Sequence, residues 1–113
     1  MENKYANCED IRVVGIVYET RNYEMFEFYK GNRNINPIKV KKTLRSFNER
    51  YYPVPIVTDE EHNILEGQHR YEASKSGGFP VSFLELTGDI NPTQVIRQLN
   101  TGNNPHSLTD YMK

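Results

Sequence analysis

The clearest chemical signal in this sequence is the run Gly-Gln-His-Arg at residues 67–70, which follows the apolar pair Ile64-Leu65. The pattern predicts a short buried strand, a glycine turn and a helix that begins at about Gln68. The first amides of a helix have no intrahelical partner and carry partial positive charge, and glycine lets a ligand approach the backbone closely. Arg70 adds a planar cation that can bond two phosphate oxygens. The run therefore indicates a site for phosphate or another anion.

The same residues also permit a purely structural interpretation, in which Gly67 only makes the turn and His69 and Arg70 are solvated. Two observations favour a ligand. The apolar pair supplies a buried platform, and a polar cluster lies at its carboxyl end, where open α/β layers bind ligands. The members of that cluster are Glu66, Gln68, His69 and Arg70.

The helix before this run has clear boundary signals. Asn36 is a natural N-cap, and Pro37 suits the first helical position. An apolar stripe then recurs at helical spacing at Val40, Leu44 and Phe47. The basic residues of this helix could contact a DNA backbone or could form an ordinary solvated face; they are Lys39, Lys41, Lys42 and Arg45.

The remaining elements are predicted from periodicity and turn residues. Residues 11–20 are rich in β-branched side chains and residues 23–30 alternate between two faces, and together they predict an N-terminal hairpin that turns at Arg21-Asn22. Further strands are expected at residues 54–58, 64–65 and 80–86, and helices at residues 68–76 and from Pro92 to about residue 100. The predicted fold is α+β: a small mixed sheet with that hairpin and three or four packed helices.

The order of these segments resembles the ParB/sulfiredoxin superfamily, in the version of phage ParB-like proteins and DGQHR-type proteins of DNA modification systems. The resemblance covers roughly residues 32–86 and rests on Asn32-Arg33, on PIVT at residues 55–58, on ILEGQHRYEA at residues 64–73 and on GGFPVSF at residues 77–83. Sulfiredoxins have their catalytic cysteine directly after the glycine, where this chain has Gln68, so thiol chemistry at this position is not expected.

The resemblance implies that the chain binds a nucleoside triphosphate, CTP or ATP, with Mg²⁺. Gly67 and the amides of Gln68 and His69 would hold the phosphates, and Arg70 would neutralise them. Asn32, Arg33 and Asn100 would reach the same pocket. Glu66 would be a magnesium ligand, and Glu66 and His69 are the candidate catalytic residues.

Two other interpretations stay open. The resemblance also includes ParB-like nucleases and a kinase-like phosphotransferase, although a nuclease needs clustered carboxylates and only Glu66 and Glu72 are near the run. A scaffold that kept the fold and lost the ligand is the third, because fold does not imply function.

Composition fits one domain over residues 1–113, which we interpret as the N-terminal part of a longer DNA-handling protein of a phage, plasmid or defence system. The 14 basic and 15 acidic residues nearly cancel, so overall charge does not indicate nucleic-acid binding. Cys8 is the only cysteine. The sequence contains no recognisable signal peptide or membrane span, so a cytoplasmic location without membrane contact is expected. DNA is the expected partner of the longer protein, and an oligomer is compatible with the sequence.

Overall fold

The computed structural model describes residues 3–30, 32 and 34–101, and it contains one five-stranded mixed sheet and three α-helices. The strands are β1 (Val17–Thr20), β2 (Glu27–Phe28), β3 (Ile56–Thr58), β4 (Asn63–Glu66) and β5 (Val81–Glu85). The helices are α1 (Pro37–Glu49), α2 (Gln68–Gly77) and α3 (Pro92–Thr101). The predicted α+β class is therefore confirmed.

The strands lie in the order β1-β5-β3-β4-β2, so the two N-terminal strands form opposite edges of the sheet. β1 is antiparallel to β5, and β2 is parallel to β4. The predicted hairpin is wrong: a 3-10 turn over Tyr23–Met25 follows β1 and carries the chain to the far edge. The Tyr23 hydroxyl donates to the Phe79 carbonyl at 2.7 Å, which fixes this crossing to the end of α2.

The core lies where the middle strands meet α2. Ile64 and Leu65 of β4 are fully buried, as the predicted platform requires. Phe26 is also buried, and it packs edge-on against Tyr71 of α2 and Phe83 of β5. Because this packing immobilises both β4 and α2, the junction between them is rigidly placed.

Helices α1 and α3 are the outer elements that border this junction. α1 packs against α2, and α3 packs against β4. The predicted boundaries of α1 are confirmed, since Asn36 caps it and Pro37 is its first residue. Leu99 of α3 is 39% exposed. None of the helices in the described part of the chain is both long and apolar enough to cross a membrane.

Candidate functional site

Gly67 joins β4 to α2 within a single residue. Its backbone is left-handed, with φ of +97°, and a Cβ here would lie 2.7 Å from Cγ2 of the buried Ile56. A side chain is therefore disfavoured twice, by conformation and by overlap. Glycine at this position lets the chain reverse directly from the buried strand into the helix.

The first turn of α2 has open amides. The first backbone bond of the helix runs from the Tyr71 N–H to the Gly67 carbonyl at 3.0 Å. The preceding N–H groups, of Gln68, His69 and Arg70, have no hydrogen-bond partner within the described residues, and no side chain caps the helix. Such amides need water or a ligand as acceptor, and they favour anions.

Asn32 and Gln68 support this junction from one side. The Gln68 Nε2 donates to the Asn32 Oδ1 at 2.8 Å, and the Asn32 Nδ2 donates to the carbonyls of Ile64 at 3.0 Å and Leu65 at 3.2 Å. Gln68 is only 7% exposed. Both predicted ligand residues are thus at the junction, with their side-chain amides bonded to each other and to β4.

His69 connects the starts of α1 and α2. Its Nε2 accepts a hydrogen bond from the Asn36 N–H at 2.9 Å, so this nitrogen carries no proton. Desolvation by burial, followed by the charge of Lys39, lowers the pKa of His69. A neutral imidazole is therefore the form that suits this position.

Arg70 and Glu66 form an ion pair beside the open amides. The Arg70 Nη2 donates to the Glu66 Oε2 and to the Pro55 carbonyl, both at 2.9 Å. The side chains are 29% and 18% exposed, respectively. The Arg70 Nε is buried without a partner in the described chain. Since the two charges offset each other, this pair adds little net field to its surroundings.

A cavity of about 690 Å³ opens above these groups. Such a volume lies within the usual range of small-molecule sites. Lys39 and Lys42 line it from α1 and have no ion pair within the described residues, so the cavity is positively charged. The described residues that line it are Asn32, Asn34, Lys39, Lys42, Thr43, Glu66, Gly67, Gln68, His69, Arg70 and Asn100.

The cavity brings together nearly all of the predicted ligand residues, including Asn100, which α3 supplies from its last turn. Arg33 is outside the described residues. The four basic residues of α1 divide into two pairs: Lys39 and Lys42 line the cavity, whereas Lys41 and Arg45 do not.

Sequence reasoning missed two of the lining residues, Asn34 and Thr43. Thr43 follows Lys39 by one helical turn, which could have indicated it; Asn34 lies in a loop and gave no signal.

The cavity suits a magnesium ion that is held mainly by phosphates. The described residues contain no group of three His, Cys, Asp or Glu side chains that could hold a metal. Glu66 is the one carboxylate among the described lining residues, and its Oε2 already accepts from Arg70. Because Mg²⁺ commonly binds one carboxylate together with substrate phosphates, this arrangement fits such an ion.

Comparison with known proteins identifies the fold. Neither the models of known protein families nor the curated proteins give a match to this chain. Among solved structures, a Pnob8-like ParB-N domain matches with a TM-score of 0.57 and 17% sequence identity. The match covers 77% of this chain and 38% of that one. The fold is therefore ParB-like, as the sequence resemblance predicted, and the chain corresponds to well under half of that structure's length.

Proposed function

We propose that this chain is a ParB-like module that binds a nucleoside triphosphate, CTP or ATP, together with Mg²⁺. The observation that carries the proposal is the uncapped start of α2, whose three open amides belong to residues that line a positively charged cavity of about 690 Å³. An anion in this cavity would satisfy backbone groups that otherwise depend on water.

Each wall of the cavity has a role in this proposal. The amides of Gln68, His69 and Arg70 bind phosphate oxygens, and Lys39 and Lys42 neutralise their charge from α1. Glu66 would hold the magnesium ion from the protein side, and the ion would supply further charge neutralisation. Asn100 closes the cavity from α3.

We also propose DNA as a partner. Lys41 and Arg45 are exposed on α1 and lie outside the cavity, so they stay available for a phosphate backbone while a nucleotide is bound.

The test is calorimetric titration of the chain with CTP, ATP, GTP and UTP in the presence of Mg²⁺. We compare the double variant Lys39→Ala/Lys42→Ala with Lys41→Ala/Arg45→Ala, which removes the same charge from the same helix. The first should weaken binding by about tenfold or more, since hydrogen bonds to charged groups contribute roughly 1.5–3 kcal/mol each. The second should change the affinity by less than about threefold, because Lys41 and Arg45 do not line the cavity and solvent and salt screen their charges from a phosphate bound there.

Arg70→Ala is a less suitable test because it removes the partner of Glu66 and a donor to Pro55. A loss of binding there could follow from a shifted junction. No binding of any nucleotide to the wild-type chain, or equal losses in the two double variants, would contradict the proposal.

A further inference from the structure

An exposed apolar run, at residues 11–18, leads into β1 and includes its first two residues. Six of the eleven large apolar side chains that are exposed in the described residues belong to this run, and their exposed fractions are 42–85%. Soluble proteins scatter single apolar residues over their surface, whereas a contiguous apolar stretch marks an interaction surface. The six residues are Ile11, Val13, Val14, Ile16, Val17 and Tyr18.

This run lies directly beside β5. β1 pairs antiparallel with β5, and the ring centroids of Tyr18 and Phe83 lie 5.7 Å apart across this pair. A Cβ at Gly15 would lie 2.8 Å from the Cδ1 of Leu84, so the chain already approaches β5 closely before the strand begins. The backbone of the run is therefore held in place while its apolar side chains stay exposed.

The two edges of the sheet differ in their protection against further pairing. β1 pairs only with β5, so its outer backbone groups have no strand partner in the described residues. Edge strands usually avoid additional pairing by being short or by carrying charged residues or proline. β2 follows this rule, since it has two residues, one of them Glu27, and Lys30 lies two residues beyond it. Residues 11–20 contain no lysine or proline, and their two charged residues, Arg12 and Glu19, are near the ends.

These two charges make the β1 edge complementary to itself. Arg12 is near the start of the segment and Glu19 is near its end, and both are exposed. Antiparallel pairing of two copies brings the start of one segment beside the end of the other. Opposite charges then lie at the same end, and the apolar residues between them meet one another. Parallel pairing would bring like charges together.

We propose that two copies of the chain associate through their β1 edges, in antiparallel order, to form a symmetric dimer. Because each copy contributes the same edge, association ends at two copies, and the two five-stranded sheets become one continuous sheet. None of the described residues that line the cavity belongs to β1 or β5, so this surface is separate from the proposed nucleotide site.

The experiment is sedimentation equilibrium of the chain without nucleotide, in reducing buffer because Cys8 is exposed. A paired run of eight residues is small for a protein interface, so we expect a dissociation constant of about 1–100 μM. Val14→Asp should raise this constant by about tenfold or more, because it places a charge among the paired apolar side chains. Val54→Asp is the matched control: Val54 is exposed but lies outside the run, and its substitution should change the constant by less than about twofold.

Charge reversal tests the antiparallel order. Arg12→Glu should weaken the dimer by about threefold or more, since it places like charges at both ends of the pairing. The double variant Arg12→Glu/Glu19→Arg should bind within about twofold of wild type, because each copy then carries the exchanged charges and opposite charges meet again.

Three results would overturn the inference. The first is a wild-type chain that stays monomeric at about 500 μM, which would leave this edge to another occupant, such as a strand of a different protein. The second is equal weakening by Val14→Asp and Val54→Asp, and the third is a charge exchange that fails to restore the dimer. Circular dichroism checks that each variant is folded, and Val13→Asp repeats the test at a second exposed position of the run.

Discussion

The starts of α1 and α2 touch each other but are built in opposite ways. At α1, the Asn36 Oδ1 accepts from the Ile38 N–H at 2.9 Å and from the Lys39 N–H at 3.4 Å. At α2, Gly67 has no side chain to offer, and the corresponding amides are open. α3 is capped in the same way as α1, since the Asn91 Oδ1 accepts from the Gln94 N–H at 3.2 Å. An asparagine cap stabilises a helix from within the chain, whereas an uncapped helix start leaves its donors to the surroundings.

Under the proposed function, this difference separates the residues that stabilise the fold from those that bind the ligand. The cap of α1 satisfies backbone donors whether or not a ligand is present, so its removal should affect folding alone. The glycine start of α2 has no such cap, and its three open amides belong to residues that line the cavity. Substitutions at the two helix starts should therefore have separable effects on the free energy of unfolding and on ligand affinity.

Gly67→Ala should cause the largest loss of stability, because it places a side chain at the glycine that begins α2. A Cβ would meet the Cγ2, Cβ and Cα of Ile56 at 2.7–3.0 Å, in a left-handed conformation with φ of +97°. We expect a loss of about 3 kcal/mol or more in the free energy of unfolding, or failure to fold. Urea denaturation measures it.

Gly78→Ala is the matched control for this substitution. Gly78 is also left-handed, with φ of +74°, but a Cβ there would meet nothing within 4 Å. Gly78→Ala should lower the free energy of unfolding by only about 1–2 kcal/mol, which is the cost of holding alanine in the left-handed conformation. Equal losses at the two glycines would show that contact with Ile56 contributes nothing and would remove the steric argument for the junction.

Asn36→Ala should have an intermediate effect, confined to stability. It removes the acceptor for the Ile38 and Lys39 amides but keeps the backbone N–H that bonds to His69. We expect a loss of about 1 kcal/mol in the free energy of unfolding, as for other N-caps, and nucleotide affinity within about twofold of wild type. Urea denaturation and calorimetry measure the two quantities.

Asn91→Ala removes the equivalent cap of α3 and should reproduce the stability loss. A drop in affinity for Asn36→Ala that Asn91→Ala does not share would mean that the start of α1 takes part in recognition, and the separation argued above would be lost.

Local signals in the sequence were enough to predict the helix starts. Asn36-Pro37 and Asn91-Pro92 are boundary signals that act within one turn, and Gly67 follows a strand whose two apolar residues are both buried. The hairpin prediction failed because alternation identifies a strand but not its partner. β1 pairs with β5 and β2 with β4, and these partners lie 35 or more residues away along the chain.

The site shows the same division between local and distant information. The five lining residues at positions 66–70 lie in one run, so local sequence was enough to predict them together. The lining residues of α1 were not predicted for the cavity: Lys39 and Lys42 were expected at a DNA backbone, and Thr43 was missed. The hydrogen-bond partners of the site residues were not predictable. Arg70 donates to the carbonyl of Pro55, and His69 accepts from the backbone N–H of Asn36, 33 residues earlier. Such bonds depend on how α1, β3 and α2 pack, which periodicity does not specify.

The smallest expected effect on stability concerns His69. Its Nε2 accepts a hydrogen bond from the Asn36 N–H and so joins the two helix starts, and protonation of this nitrogen would break that bond. The pKa of His69 is lowered by desolvation and then by Lys39, so the unfolded chain binds this proton more readily than the folded chain does. The stabilisation is therefore complete above the unfolded pKa of about 6.5 and is lost as the pH falls through the lowered folded value.

His69→Gln tests this directly, because a Gln oxygen can accept from Asn36 without titrating. Urea midpoints across about pH 5 to pH 8 should show wild type losing stability relative to the variant only on the acid side. The difference should be modest, since His69 is only partly buried and solvent screens its charge. Parallel profiles for the two proteins would mean that His69 keeps its ordinary pKa, and the contact between the helix starts would then be independent of pH.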